Sequence, residues 1–411
     1  MIDIKLILSQ KDWLKEQLAK KGYDVTNIDN LETLLLKAKS LRAHLEEMRK
    51  QRKDISGDKS VSAEKKRELR NQIDDLEKEL NDLDSQIEKI HIYIPNTPDE
   101  DAPIGISAKD NVVVIECDNY KKTDVANPLP HWDLGEKLGI LDLNASSKIS
   151  GSMFSLYKGK GSQLLRSLIN YGLSLHNKKY LEITPPHLVS TKTLTYTGHL
   201  PKFADDQYKT INDDLWLIPT GEVPLTAYYA DKIISFDELP RYSMAYTVCF
   251  RREAGNYGKD TRGLQRIHEF HKVELVKIVE PSQCKSELQD LLADCLKIIQ
   301  NLKLQYRVVD LCTGDMGDKY GRCYDIEVYS PGIQKWLEVS SVGHFSDYQA
   351  RRANIRYKSE SGPNKFVYTL NGSGIATPRV WAAIVETYQR LDGTISVPDV
   401  LIPFMGCELI E

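Results

Sequence analysis

Apolar residues between Leu31 and Ile92 recur with alternating steps of three and four, a heptad rhythm that buries one seam of a helix against a partner. In the second half the seam runs Leu69, Ile73, Leu76, Leu80, Leu83, Ile87, Ile90; in the first it runs Leu34, Ala38, Leu41, Leu45, Met48, with Arg52 interrupting before Ile55. Glycine occurs once in the stretch, at Gly57, and proline not at all. The turn formers of residues 56–62 separate the two seams, so the pattern predicts helices at about 27–56 and 62–92, folded back as an antiparallel coiled-coil hairpin about 40 Å long.

After Ile94 the texture changes to PNTPDEDAPIG, whose prolines and acids read as a linker, and the domain boundary is placed between residues 105 and 106. Beyond it come short β-branched runs such as VVVIE from Val112, KVELVKIV from Lys272, YRVVDL from Tyr306 and CYDIEVYS from Cys323, with helical stretches at Gly161–His176 and Cys284–Leu302. The runs cluster as meanders instead of alternating regularly with helices. The expected class is α+β, with a helical arm in residues 1–105 and a mainly antiparallel sheet flanked by helices in 106–411.

Composition adds three constraints. At 411 residues the chain exceeds one hydrophobic core, and a net charge of −4 excludes a uniformly basic nucleic-acid coat, leaving only regional contact. One basic region lies around the hairpin tip, at Arg49, Lys50, Arg52, Lys53, Lys65, Lys66 and Arg67, with Lys59 between the helices. It reads either as a phosphate-contacting patch or as the ordinary solvated surface of a coiled coil. The seven cysteines include no C-x-x-C, which suits a reducing compartment and gives no zinc or disulfide framework. Residues 1–11 show no leader pattern and no run of about 18 apolar residues occurs, so the expectation is a soluble cytoplasmic protein without membrane or DNA contact. The glycines and lysines of Gly151–Gly161 lack the spacing of a phosphate-binding P-loop.

Chemistry concentrates in Cys249–Glu274, CFRREAGNYGKDTRGLQRIHEFHKVE: an arginine-glutamate strand, a loop with three glycines, and a second strand. This hairpin resembles motif 2 of class II aminoacyl-tRNA synthetases, and F-R-x-E-A-G-x-Y-G-x-D-T-x-G-L with H-x-F-x-K-V-E is more narrowly similar to seryl-tRNA synthetases. Further similarities are Thr220-Gly221-Glu222, Trp336-Leu-Glu-Val-Ser-Ser341, the motif 3 segment Thr369-Leu-Asn-Gly-Ser-Gly-Ile-Ala-Thr-Pro-Arg379, Pro130–Leu141 and Thr197–Phe203.

The resemblance implies a catalytic domain of the class II kind, activation of L-serine by ATP with Mg2+, and transfer to the 3′-terminal adenosine of tRNA(Ser). An adenylate forms when a carboxylate attacks the α-phosphate, so a cation must bridge two anions, and arginine can fork between their oxygens. That role falls to Arg251, with Arg379 on the γ-phosphate as the second catalytic cation. The resemblance places Arg252, Glu253 and Phe270, then Glu338, Val339, Ser340 and Ser341, around ATP, with Glu338 and Ser341 on the metal. Strict alternation would set Glu338 and Ser340 on one strand face. Thr220, Gly221, Glu222, Arg251, Glu274, Asn371 and Ser373 would surround serine, Glu222 meeting its ammonium. A homodimer is implied, with motif 1 around Lys179–Pro186 at the interface, and the basic arm reads as the tRNA grip.

Some residues depart from the family pattern: Gly221 stands for alanine, His271 for an acid, Val342-Gly-His344 for Cys-Ser-Asn, Thr377 for leucine and Lys179 for glycine. The missing methyl at Gly221 would enlarge or loosen the pocket. Two other readings stand beside the main one: a diverged paralogue that activates serine or another small amino acid for a biosynthetic pathway or carrier protein, and a non-catalytic RNA-binding protein that keeps the fold.

Overall fold

Two short helices, α1 (Lys5–Ser9) and α2 (Lys11–Ala19), precede the pair formed by the heptad seams, α3 (Thr26–Ser56) and α4 (Ala63–His91). The computed structural model describes residues 1–58, 60–117, 119–254, 262–359 and 362–411. Lys59 and residues 255–261, the GNYGKDT part of the motif 2 resemblance, lie outside the described residues. The chain divides into the units Met1–Thr97 and Pro98–Glu411.

In the first unit the seam packs as its period requires. Leu45, Leu69 and Ile73 are buried, with Met48, Ile55, Leu76 and Leu80 against them. Lys37–Glu79 at 3.0 Å, Arg49–Glu77 at 2.8 Å and Arg42–Asp84 bridge the flanks. Such exposed pairs contribute about 0–1 kcal/mol each, so the apolar seam carries the pairing. Ser62 caps α4, its Oγ accepting from the Lys65 amide at 3.2 Å. Lys66 closes the turn by donating to the Asp58 carbonyl at 2.7 Å.

The unit boundary falls earlier than the composition of the linker suggested, because Pro98–Gly105 is bonded into the second unit. The Asp99 amide donates to Gly321 O at 2.9 Å, and Thr313 N donates to Pro103 O at 2.8 Å.

The second unit is built on an eight-stranded sheet: β1 (Val112–Glu116), β2 (Leu181–Glu182), β3 (Arg241–Phe250), β4 (Glu269–Val279), β5 (Tyr306–Asp310), β6 (Arg322–Ser330), β7 (Lys335–His344) and β8 (Tyr368–Ala376). The order is β1-β5-β6-β7-β8-β4-β3-β2. Every neighbouring pair is antiparallel except β2–β3. Five further helices matter to the site: α5 (His131–Lys137), α6 (Gly159–His176), α7 (Glu222–Ala227), α8 (Cys284–Asn301) and α9 (Thr377–Thr387).

Alternation along β4 sorts the two faces of the sheet. Val273, Leu275 and Val279 enter the main core with Leu164 and Leu168 of α6, Leu291 and Ile298 of α8 and Trp381 of α9. Lys277, fully buried on that face, is held by Glu287 at 2.8 Å and Asp290 at 2.6 Å from α8. Gly372 lets α8 approach β8, since a Cβ there would lie 2.8 Å from Cys295 Sγ. On the opposite face Phe270, Lys272 and Glu274 line a cavity. Farther along, Val276 and Ile278 join a second core with Leu225, Tyr229 and Ile355. No helix among the described residues is long and apolar enough to cross a membrane.

Candidate active site

The cavity has a volume of about 360 Å³ and draws on distant parts of the second unit. Strand β3 pairs with β4 over its whole length, from Arg241↔Ile278 to Phe250↔Glu269. That register sets Arg251 at the mouth of the hairpin, where its amide donates to His268 O at 2.9 Å. Its Nε donates to Pro219 O at 3.3 Å, and the guanidinium lies 5.1 Å from the centroid of Phe270. Across the cavity Arg379, in the first turn of α9, donates through Nη1 to Glu338 O at 2.6 Å and through Nε to Gln265 O at 3.0 Å. Two arginines from separate segments thus face one space, an arrangement suited to a ligand carrying several negative charges. Glu253, at φ +50°, is held by Arg266 Nη1 at 2.9 Å.

One end of the cavity is a small polar pocket. Thr220 Oγ1 donates to Glu274 Oε2 at 2.6 Å and accepts from Lys272 Nζ at 2.7 Å, and Lys272 also pairs directly with Glu274. Glu222, at the start of α7, accepts from Lys319 Nζ at 2.8 and 2.7 Å and from Gln349 Nε2 at 2.6 Å. Burial disfavours its charge, yet Lys319 and the hydrogen bonds hold its pKa below the usual carboxylate value. His199 borders the same pocket. Burial first, then the Lys319 cation, push its pKa down to about 3, so it is neutral. The amide Nδ2 of Asn371 is buried without a hydrogen-bond partner among the described residues. A stranded donor in a pocket wall is suited to a ligand oxygen.

Most residues singled out in the sequence meet here: Thr220, Glu222 and Glu274, the arginines 251 and 379, Glu253 with Phe270, residues 338–341, and Asn371 with Ser373. Arg252 and Gly221 are not on the wall. A Cβ at position 221 would come within 2.9 Å of Glu274 Cβ and 3.3 Å of Thr247 Oγ1, so glycine here does not enlarge the pocket; its neighbours fill the space.

Alternation also failed along β7. The β6–β7 register shifts between Glu338 and Ser340, a bulge that inserts one extra residue and reverses the facing of those that follow. The pair is therefore Glu338 and Ser341, with Ser341 Oγ donating to Glu338 Oε1 at 3.1 Å, while Ser340 Oγ accepts from the Ser373 amide at 3.0 Å. Opposite Ser341 on β6 stands Asp325, half-buried. Desolvation, then the neighbouring Glu338 charge, raise its pKa well above the usual range.

The unusual histidines do not line the cavity. His271 alternates away from Phe270 and bonds Tyr246 Oη at 2.7 Å, its pKa lowered by burial. His344 bonds Asp99 at 2.9 Å. Lys179 is held by Asp290 and Asp294. Sequence reasoning missed Lys272, His199, Arg266 and Lys319 as wall residues. Lys272 was within reach of it, since alternation places it beside Phe270 and Glu274.

A sheet of this topology, with two arginines over one face and a polar pocket beside them, defines a class II aminoacyl-tRNA synthetase core, and the family model for the tRNA synthetase class II core domain (G, H, P, S and T) matches residues 204–388. The model for the seryl-tRNA synthetase N-terminal domain matches residues 1–98. The chain is 41% identical to the serine–tRNA ligase of Pseudothermotoga lettingae over all of both chains. It is 49% identical to that of Thermosynechococcus vestitus over 83% of this chain and 80% of the relative. A crystal structure of seryl-tRNA synthetase from Pyrococcus horikoshii complexed with ATP superposes with a TM-score of 0.94 at 31% identity, covering 100% of this chain and 99% of that one. The chain belongs to the seryl-tRNA synthetase family.

Proposed function

We propose that the second unit joins L-serine to AMP using ATP, and that the seryl group then passes to the 3′-terminal adenosine of tRNA(Ser). The carrying observation is the shared wall of Arg251, Arg379 and the Thr220–Glu222–Glu274 pocket. In the first step a serine carboxylate oxygen bonds to the α-phosphorus as the bond to the β-phosphate oxygen breaks and pyrophosphate leaves. Arg251 spans the two approaching anions and Arg379 holds the γ-phosphate, so the protein contributes positioning and charge. Phe270 offers a ring face to adenine and Glu253 an acceptor for its amino group. Glu222 takes the serine ammonium; Glu274 with Thr220, Asn371 and Ser373 take the hydroxyl and its surroundings. A pocket that bonds a hydroxyl rejects alanine by stranding its own polar groups.

Glu338 and Ser341 present hard oxygen donors on one face, bonded at 3.1 Å, and this set fits magnesium, which keeps much of its shell from phosphates and water. When bound there, the ion supplies neutralisation of phosphate charge.

On the arm, Arg49 is paired with Glu77 and Lys66 is spent on the turn, whereas Lys50, Arg52, Lys53, Lys65 and Arg67 are exposed. These five support the reading of the first unit, Met1–Thr97, as the tRNA-binding domain, through phosphate contacts that position without reading sequence. Residues Lys179–Pro186 at the sheet end, where Leu181 is 57% exposed, would meet a second copy in a homodimer. All seven cysteines are free, in keeping with action in the cytoplasm.

The test is ATP–pyrophosphate exchange across the common amino acids, followed by charging of tRNA with the amino acid that responds. Exchange with serine alone and acylation of tRNA(Ser) are expected. Exchange with another amino acid, or activation without charging, would overturn the reading.

A further inference from the structure

Glu222 already holds an ammonium group. Lys319 Nζ lies 2.8 and 2.7 Å from its two carboxylate oxygens, and with Gln349 at 2.6 Å it takes up three of the roughly four acceptor positions a carboxylate offers. The Lys319 side chain is 16% exposed and that of Glu222 only 4%, so the lysine is the more open partner, and both line the cavity. Its Nζ is steadied by the rings of Phe345, 5.2 Å away, and Tyr320, 5.6 Å away. The segment carrying it is fixed on both sides: Met316 and Tyr324 are buried and Asp318 pairs with Lys202. Movement of Nζ is therefore a matter of side-chain torsions. Neutral His199 beside the pair supplies no alternative anion.

We infer that Lys319 is a specificity-determining residue that acts as an internal stand-in for the substrate α-ammonium, which must displace Nζ from Glu222 to bind. This rests on the reading of Glu222 as the ammonium site. Two cations on one shielded carboxylate repel each other, so the lysine and the substrate amine compete. The competition weakens amino-acid binding by the inverse of the fraction of molecules in which Glu222 is free. It also sets what the pocket tolerates. A hydroxy acid without an amine leaves the Lys319–Glu222 pair intact, and so loses less against serine than it would in a pocket whose Glu222 stood open.

The experiment is pyrophosphate exchange with the full chain, comparing the wild type with Lys319→Ala and Lys319→Gln, and using 3-hydroxypropanoate, which is serine without its amino group, as a competitive inhibitor. For Lys319→Ala, KM for serine should fall about tenfold, with KM for ATP little changed. Its ratio of the 3-hydroxypropanoate Ki to the serine KM should rise by at least about tenfold, since an unpaired Glu222 now rewards the amine. Lys319→Gln keeps one hydrogen bond to Glu222 without the charge; it should shift the same way by a smaller factor, and it serves if the alanine variant does not fold. A serine KM that rises or stays level in the folded variants, with that ratio unchanged, overturns the inference. Glu222→Gln separates the two layers: serine KM should rise sharply, and an unaltered value would instead overturn the assignment of Glu222 itself.

Discussion

Glu386 ties the active-site walls together from behind. It is fully buried in α9 and accepts from the His131 amide at 2.9 Å, His131 Nδ1 at 2.7 Å, the Gly332 amide at 2.9 Å and Ser330 Oγ. The other ring nitrogen of His131, Nε2, accepts from the Leu264 amide at 2.9 Å, so the ring proton sits on Nδ1 and points at Glu386. Leu264 precedes Gln265, whose carbonyl holds Arg379. Glu386→Gln preserves the shape but turns one acceptor oxygen into a donor, facing two groups that also donate. Ser330 can rotate to accept; a backbone amide or the His131 ring cannot. Two charge-assisted bonds at about 1.5–3 kcal/mol each, partly recovered, come to a loss of about 3 kcal/mol. With an unfolding entropy of about 2.1 cal/mol/K per residue over roughly 300 residues, that lowers Tm by about 5 °C. The same change loosens the segment that orients Arg379, and exchange should slow about tenfold, since misplacement of a charge-stabilising group is costly. Differential scanning calorimetry and exchange kinetics on one preparation read both effects. A Tm within about 1 °C of wild type together with an unaltered exchange rate would refute the claim that this network braces the site.

Three further outcomes are expected. Arg251→Ala should slow adenylate formation by about a hundredfold to a thousandfold, judged from the loss of comparable charge-stabilising donors, while filter-binding affinity for tRNA stays within about twofold; equal loss of both would refute separate sites. Replacing Lys50, Arg52 and Lys53 together by alanine should weaken tRNA binding and reduce the slope of log K against log salt by about 2–3, with serine-dependent exchange unchanged; an unchanged slope would return the arm to a plain coiled coil. His199, with its pKa lowered from 6.5 to about 3, is unprotonated in the fold, so the unfolded chain binds more protons between those values and stability falls as pH drops through that window. His199→Gln should remove up to about 1.4 kcal/mol per pH unit from that slope in urea titrations, and an unchanged slope would mean that His199 is not buried neutral.

What could be read ahead of the fold depended on how local the signal was. The arm was legible because a coiled coil writes its contacts into a short repeat: Leu69, Ile73 and Leu80 are neighbours in sequence and in the seam. The β3–β4 hairpin was legible for the same reason, its partners being joined through one loop. Along β7 the alternation rule misassigned Ser340, because a bulge is imposed by pairing with β6 and leaves no mark of its own in the tetrapeptide. The departures at His271 and His344 looked like active-site changes from their position beside the motifs, yet one lies across the sheet and the other is bonded to Asp99.

The sequence by itself determined the helical arm, the mainly antiparallel second unit, the family, and the arginines and carboxylates of the motifs, since periodicity and residue chemistry are properties of short segments. Tertiary structure alone decided which charges meet. Lys319 and Glu222 stand 97 residues apart in the chain, and Glu386 and His131 stand 255 apart. Such pairs exist because burial removes water as a competing partner and leaves each polar group to find another within reach, and reach is set by strand order and helix packing, which no local pattern encodes.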